Sequence, residues 1–73
     1  MGSILAGYLT MKILAINPGN VWPTREGKWK YSLNYTTPHK VIEIAGSNLY
    51  DFAPAAKQAM REKVAQERKK HCV

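Results

Sequence analysis

The sequence predicts an α+β fold, with a small antiparallel sheet of about three strands and one C-terminal basic helix. Apolar and polar residues alternate along KWKYSLNY, residues 28–35, and this period of two is typical of a half-buried strand. After Gly46 the alternation stops and strong helix formers dominate the sequence. We treat residues 1–73 as a single small domain, because a chain of 73 residues is near the lower limit for building a hydrophobic core.

The first predicted strand covers about residues 11–17 and contains the segment KILAI. The segment PGNVWPTREG, residues 18–27, holds two prolines and two glycines in ten positions. These residues favour turns, so we predict that Pro18 and Gly19 end the strand and that a loop follows. For residues 3–10 the short apolar run leaves strand and helix both open.

The second and third strands follow from the alternation and from a short connection. In residues 28–35 one predicted face holds Trp29, Tyr31, Leu33 and Tyr35, and the other holds Lys28, Lys30, Ser32 and Asn34. The segment TTPH then turns the chain, and KVIEIA, residues 40–45, places Ile42 and Ile44 on one face. A connection this short predicts that the two strands pair antiparallel.

The predicted C-terminal helix has a recognisable start and a thin apolar stripe. Asp51 is placed to cap the first turn, where Pro54 is tolerated because its missing N–H has no helical partner. Val64 is the last large apolar residue before the final turns, which we therefore expect to project into solvent or onto a partner. The predicted stripe consists of Phe52, Ala56, Met60 and Val64, with Ala53 and Ala59 beside it.

Positive charge is concentrated in this helix. The chain has 11 Lys plus Arg against 5 Asp plus Glu, for a formal net charge of +6. Spacings of four and seven place Lys57, Arg61 and Arg68 on one helix face, and Lys69 and Lys70 suit the negative end of the helix dipole. This pattern has two interpretations: a solvated helix face, or a contact surface for phosphates or an acidic protein patch.

A second candidate binding cluster lies in WPTREGKWKY. Aromatic residues there interleave with Arg25, Lys28 and Lys30, a composition found in single-stranded nucleic-acid binders and in protein interfaces. The alternation assigns Trp29 and Tyr31 to the core. Trp22 lies in the predicted loop and is therefore the candidate exposed anchor.

The sequence contains no pattern that predicts an enzyme, a metal site or a cofactor. His39 follows a proline in a turn, and no spacing brings it near a nucleophile and an orienting group. The pair His71–Cys72 lacks the further ligands of a four-coordinate zinc site. Cys72 is the single cysteine, which favours the cytoplasm over secretion. Residues 2–16 are apolar but too short to span a membrane, so we expect no membrane partner.

Taken as a whole, the length, the positive charge and the order of strands before a basic helix resemble small bacteriophage proteins that bind host bacterial RNA polymerase. The resemblance implies a regulator of transcription in the host cytoplasm, and we expect the chain to be a monomer. It also implies docking on polymerase subunits, inhibition of transcription initiation, and antitermination as a further activity. The alternative function is a basic nucleic-acid-binding or ribosome-associated module.

Overall fold

The computed structural model describes residues 12–73 and has the predicted α+β architecture. Three strands, β1 (Ala15–Pro23), β2 (Trp29–Thr36) and β3 (Val41–Ala45), precede one helix, α1 (Ala53–His71). The strands form one antiparallel sheet in the order β1-β2-β3. The segment 3–10, for which strand and helix were both open, lies outside the described residues.

Strand β1 is longer than predicted, and the loop prediction for residues 18–27 is wrong in its first part. The strand continues through Pro18 and Gly19 to Pro23. A β-bulge between Pro18 and Val21 shifts the register against β2 and accommodates these residues. Proline is tolerated because β1 is an edge strand, where a missing N–H breaks no ladder bond. The turn-forming residues therefore mark an irregularity within the strand and not its end.

The predicted antiparallel pairing of β2 with β3 is confirmed. The register runs from Ser32 opposite Ala45 to Thr36 opposite Val41. Thr37 closes the turn between the strands: its N–H donates to the Lys40 carbonyl at 2.8 Å, and its hydroxyl donates to the same oxygen at 2.9 Å. The short TTPH connection is therefore a hydrogen-bonded turn, as a hairpin requires.

The hydrophobic core lies between α1 and one face of the sheet. Its buried residues are Ile16, Tyr31, Leu33, Met60 and Val64. Helix α1 packs on β1 and β2, which leaves Ile44 of β3 52% exposed. The opposite sheet face has no helix over it among residues 12–73, and we call it the open face. By the alternation of the strands it carries Asn17, Trp22, Lys30, Ser32, Asn34 and Glu43.

The start of α1 differs from the prediction in two respects. Phe52 is the N-cap residue, with extended backbone and no side-chain cap, and Pro54 lies in the first turn as predicted. Asp51 does not cap the helix, because its carboxylate pairs with the Lys28 ammonium group. Phe52 is 70% exposed and does not belong to the buried stripe. The stripe therefore begins at Ala56.

The last two turns of α1 contact the sheet through Glu67, Arg68 and His71, whereas Lys69 and Lys70 are exposed to solvent. The prediction that these turns project into solvent or onto a partner therefore does not apply to the side that faces the sheet. The Tyr35 hydroxyl donates a hydrogen bond of 2.8 Å to the Glu67 carboxylate. Arg68 Nε donates to the Ile16 carbonyl at 2.7 Å, and its Nη2 donates to Asn17 Oδ1 at 3.1 Å. The His71 ring meets the Tyr35 ring edge-on, with 6.3 Å between centroids. Polar contacts thus replace the apolar residues that this part of the helix lacks.

Replacing Tyr35 by phenylalanine should reveal the contribution of this contact through its dependence on pH. Burial and the bond to Glu67 raise the pKa of Tyr35 to about 12, and the same bond lowers the pKa of Glu67 below its usual value of 4.5. The Tyr35 contribution is therefore complete below about pH 10 and lost as the pH rises towards 12. The Glu67 contribution is present above pH 4.5 and lost as the pH falls through its lowered pKa.

We expect Tyr35→Phe to lower the free energy of unfolding by about 1 kcal/mol at pH 7, since one partly exposed hydrogen bond to a carboxylate is lost. Chemical denaturation between pH 3 and 12 measures this difference. The difference in the free energy of unfolding between variant and wild type should become smaller at both ends of this pH range. A gap that is constant across this range would contradict the assigned hydrogen bond.

Candidate functional site

The hairpin connecting β1 and β2 presents the first group of predicted binding residues. Thr24 N–H donates to the Lys28 carbonyl, and Gly27 N–H donates to the Thr24 carbonyl at 3.1 Å. Gly27 adopts a φ of 76°, which only glycine adopts without strain. This three-residue loop with a left-handed glycine is a common hairpin connection. It leaves Arg25 exposed at the tip of the hairpin.

Two contacts hold the base of this hairpin loop against residues 50 and 51, which come just before α1. Trp29 and Tyr50 exchange two backbone hydrogen bonds, of 2.7 and 2.9 Å. Next to this bridge, Lys28 forms its ion pair with Asp51. Both side chains of the pair are exposed, so the pair adds little stability. Lys28 is consequently engaged within the protein and is less available to a partner than the sequence predicted.

Trp22 and Lys30 lie side by side on the open face. They are directly opposite each other in the register of β1 and β2, and both are half-buried. Trp22 therefore occupies a strand position and not a loop. Lys30, directly opposite on β2, is the neighbouring cation that the sequence suggested. No helix of residues 12–73 covers this face, and part of the Trp22 side chain stays accessible.

A depression of about 390 Å³ lies at this end of the sheet. Its lining consists of Arg25, Lys30 and Leu49, together with Thr24, Glu26 and Ser47. Leu49 is 50% exposed. We define the hairpin-end surface as Trp22, Arg25, Lys30 and Leu49. Sequence analysis missed Leu49, because an isolated leucine in a loop gives no periodic signal. Its exposure depends on the Trp29–Tyr50 bridge, which carries residues 47–50 alongside β2.

The charge of the hairpin end is mixed. Arg25, Lys28 and Lys30 stand beside two carboxylates, Glu26 and Asp51. A hydrogen bond from Thr24 is the main influence that lowers the pKa of Glu26, so its carboxylate is ionised at neutral pH. The surface thus has both signs of charge around an aromatic and an aliphatic side chain.

A polar cluster on the open face links all three strands. Ser32 donates to Glu43 Oε2 at 2.6 Å and accepts from the Asn20 backbone N–H at 2.9 Å, while Asn20 Nδ2 donates to the same carboxylate oxygen at 3.0 Å. These bonds lower the pKa of Glu43, with the bond from Ser32 contributing most. The Ser32 hydroxyl donates to a carboxylate, and neither histidine nor lysine is within hydrogen-bond reach of it. We therefore interpret the cluster as a structural clasp.

The clasp depends on Gly19, a role that sequence analysis did not foresee. A Cβ atom at this position would lie 2.8 Å from the Ser32 carbonyl oxygen and would also collide with its hydroxyl. Ser32 is fully buried beneath this segment of β1. The only sequence signal was the Pro-Gly pair, which we interpreted as a turn.

The predicted basic cluster of the helix is divided by the structure. Lys57 and Arg61 are exposed, whereas Arg68 is fixed to β1 by its two hydrogen bonds. Lys69 and Lys70 are exposed at the far end of α1. With a rise of about 1.5 Å per residue, Lys57 and Lys70 stand roughly 20 Å apart along the axis. The nine predicted binding residues therefore do not form one continuous site.

Within residues 12–73, no group of three or more His, Cys, Asp or Glu side chains is arranged to hold a metal ion. Cys72 is exposed and free. Helix α1, the one helix of the described segment, is not apolar enough to cross a membrane. Comparisons with protein-family models, with curated proteins and with solved structures gave no match.

Proposed function

We propose that this protein is a small binding module, without catalytic activity, that docks on a larger protein assembly through the hairpin-end surface. The observation that carries the proposal is the composition of that surface. Arg25 and Lys30 line a concave depression together with the exposed Leu49. Trp22 lies directly opposite Lys30 across the strands, next to this depression. Tryptophan and arginine are enriched among residues that dominate binding energy, and a concave apolar centre is where such residues act.

The charge at the hairpin end favours a protein partner over a phosphate backbone. Glu26 and Asp51 stand among three cations there, and a nucleic acid would be repelled by both carboxylates. A protein interface accepts both signs, because charges at its rim fix orientation and exclude wrong partners. Of the exposed cations on α1, Lys57 is separated from Lys70 by several turns, so they form no compact phosphate site.

The proposed partner is bacterial RNA polymerase, on the strength of the resemblance to small bacteriophage proteins of this length, charge and layout. The proposed effect is inhibition of transcription initiation, with antitermination as a further activity, in the host cytoplasm. A basic module of this size would act by occupying a surface that the assembly needs for engaging a promoter.

Affinity capture from bacterial lysate, with and without nuclease treatment, tests this proposal. The tagged full-length chain should retain polymerase subunits after nuclease treatment, as identified by mass spectrometry. Recovery of polymerase that disappears with nuclease, or recovery of ribosomal proteins only, would contradict the proposed partner and mode of binding. Trp22→Ala should lose most of the captured polymerase, since it removes the aromatic side chain of the hairpin-end surface.

Nucleic-acid binding is the second candidate, and the polar open face favours it. Asn34 and Lys30 present hydrogen-bonding groups there, and sheets of this kind can read a major groove. Under this alternative, affinity of the isolated protein for DNA or RNA would fall linearly with salt on a log–log plot, with a slope of about −0.9 per duplex phosphate contact. Weak binding to free nucleic acid at physiological salt is what the protein-docking proposal requires.

A further inference from the structure

Strand β3 forms an open edge of the sheet, and its hydrogen-bonding groups alternate in direction. Gly46 N–H donates to the Tyr31 carbonyl and Thr37 N–H to the Lys40 carbonyl. Because antiparallel pairs alternate, residues 42 and 44 turn their backbone groups towards β2. The N–H and C=O groups of Val41, Glu43 and Ala45 therefore point away from the sheet. In the described part of the chain no strand pairs with them.

The opposite edge, β1, is blocked against pairing in three ways. Pro18 and Pro23 lack backbone N–H groups, and the bulge between Pro18 and Val21 breaks the regular spacing of the edge. Arg68 Nε donates a hydrogen bond of 2.7 Å to the Ile16 carbonyl, which is then not free to pair with another strand. Prolines, bulges and covering side chains are the devices by which proteins prevent edge-to-edge association.

Strand β3 has none of these devices. Its sequence, VIEIA, contains no proline and no lysine, and its pairing with β2 is regular. Its single charge, Glu43, is held by Ser32 and Asn20 on the open face. Val41 and Ile44, one on each face, are 61% and 52% exposed. An exposed apolar edge of this kind offers a template for pairing with another strand.

The position of α1 leaves room for a second strand on this side. Because the helix packs on β1 and β2, a depression of about 480 Å³ separates it from the chain that follows β3. The depression is bounded by Tyr31 and Gly46 on the sheet side and by Ala59 and Gln66 on the helix side. A strand added beside β3 would extend the sheet without meeting the helix.

We propose that β3 pairs antiparallel with β3 of a second copy of this chain, which forms a six-stranded sheet across a two-fold axis. Charge favours a second copy as the occupant despite the net charge of +6. The charged side chains near this edge are balanced, with Lys40 and Lys63 against Glu43 and Glu62. Two copies can therefore approach through β3 while their basic residues at the hairpin and at the end of α1 stay apart.

The exposed side chains select one register for this pairing. Placing Glu43 opposite Glu43 of the second copy would oppose like charges, which is unfavourable. Moving the axis by one residue places Ile44 opposite Ile44 of the second copy and Glu43 opposite Ala45. The outward groups of Glu43 and Ala45 then exchange backbone hydrogen bonds. Ile44 occupies the pair position without hydrogen bonds, where opposing side chains come closest.

The pairing buries only a five-residue strand from each copy, so it is a concentration-dependent equilibrium. The expectation of a monomer then applies to dilute protein. This proposal is independent of the hairpin-end surface, which lies at β1, β2 and the loop after β3 and stays accessible in the dimer.

Sedimentation velocity of the full chain from micromolar to millimolar concentration tests the pairing. We expect the mass to rise from 8.2 kDa towards twice that value, and Ile44→Lys to keep the protein monomeric across the whole range. Ala45→Pro should do the same, because it removes an outward N–H and keeps the ladder to β2. Circular dichroism verifies that both variants are folded.

Leu14→Lys is the matched control, since it places the same charge on a similarly exposed apolar residue next to β1, at the opposite edge of the sheet. It should dimerise like wild type. A wild-type chain that stays monomeric at millimolar concentration overturns the proposal, as does a dimer that persists in folded Ile44→Lys or Ala45→Pro. Hydrogen exchange of the Glu43 and Ala45 amides gives a further test. If these amides are protected from exchange only when a different protein is bound, the edge pairs with that protein and the self-pairing proposal is overturned.

Discussion

Gly19→Ala is expected to destabilise the fold more than any other single-methyl addition on the sheet. The new Cβ would lie 2.8 Å from the Ser32 carbonyl oxygen, which belongs to the central strand and cannot move without disturbing both ladders. Overpacking of this kind costs about 1–3 kcal/mol. In a domain of this size each kcal/mol lowers the melting temperature by about 4–8 °C. Thermal denaturation followed by circular dichroism measures the change.

Two comparisons isolate this clash. Gly27→Asn adds a Cβ that would meet nothing within 4 Å and keeps only the strain of a positive φ, which asparagine bears better than most residues, so the melting temperature should fall less than in Gly19→Ala. Combining Gly19→Ala with Ser32→Ala removes the hydroxyl but leaves the carbonyl, so the rescue should be partial. If Gly19→Ala has the same melting temperature as the wild type, then β1 does not approach Ser32 as closely as described.

Trp22→Ala is expected to have the largest effect on partner binding. Truncating a central tryptophan at an interface commonly costs about 2 kcal/mol or more, which corresponds to roughly a 30-fold loss of affinity. Arg25→Ala should weaken binding in the same sense. Stability should change less than affinity, because Trp22 is absent from the buried core cluster. Titration of purified RNA polymerase with labelled protein measures both affinities.

Sequence patterns predicted the parts of the fold in which periodicity and packing agree. The alternation in residues 28–35 identified β2, and the short TTPH connection identified its pairing with β3. The buried residues Ala56, Met60 and Val64 followed from helical spacing. The sequence did not predict that β1 continues through Pro18 and Gly19. These residues favour turns locally, and their pairing with β2 keeps them in the strand.

Polar contacts between distant residues account for the other differences. Asp51 is a good cap by local rules, but Lys28 competes for its carboxylate from 23 positions away. Arg68 shares a helix face with Lys57 and Arg61 by spacing, yet β1 lies close enough to bind its guanidinium group. Trp22, Arg25 and Lys30 are close in sequence and belong to one hairpin, so the structure also places them near one another. Leu49 joins them only through the tertiary fold.

The central claim is that the hairpin-end surface docks on a protein. The most direct test is nuclease-treated affinity capture of RNA polymerase with Trp22→Ala compared against the double variant Lys57→Glu, Arg61→Glu. The double variant reverses the exposed helix charges and leaves Arg68 to hold β1. We predict that Trp22→Ala loses most of the captured polymerase and that the double variant retains most of it. Loss of capture in the double variant, with Trp22→Ala unaffected, would contradict the account.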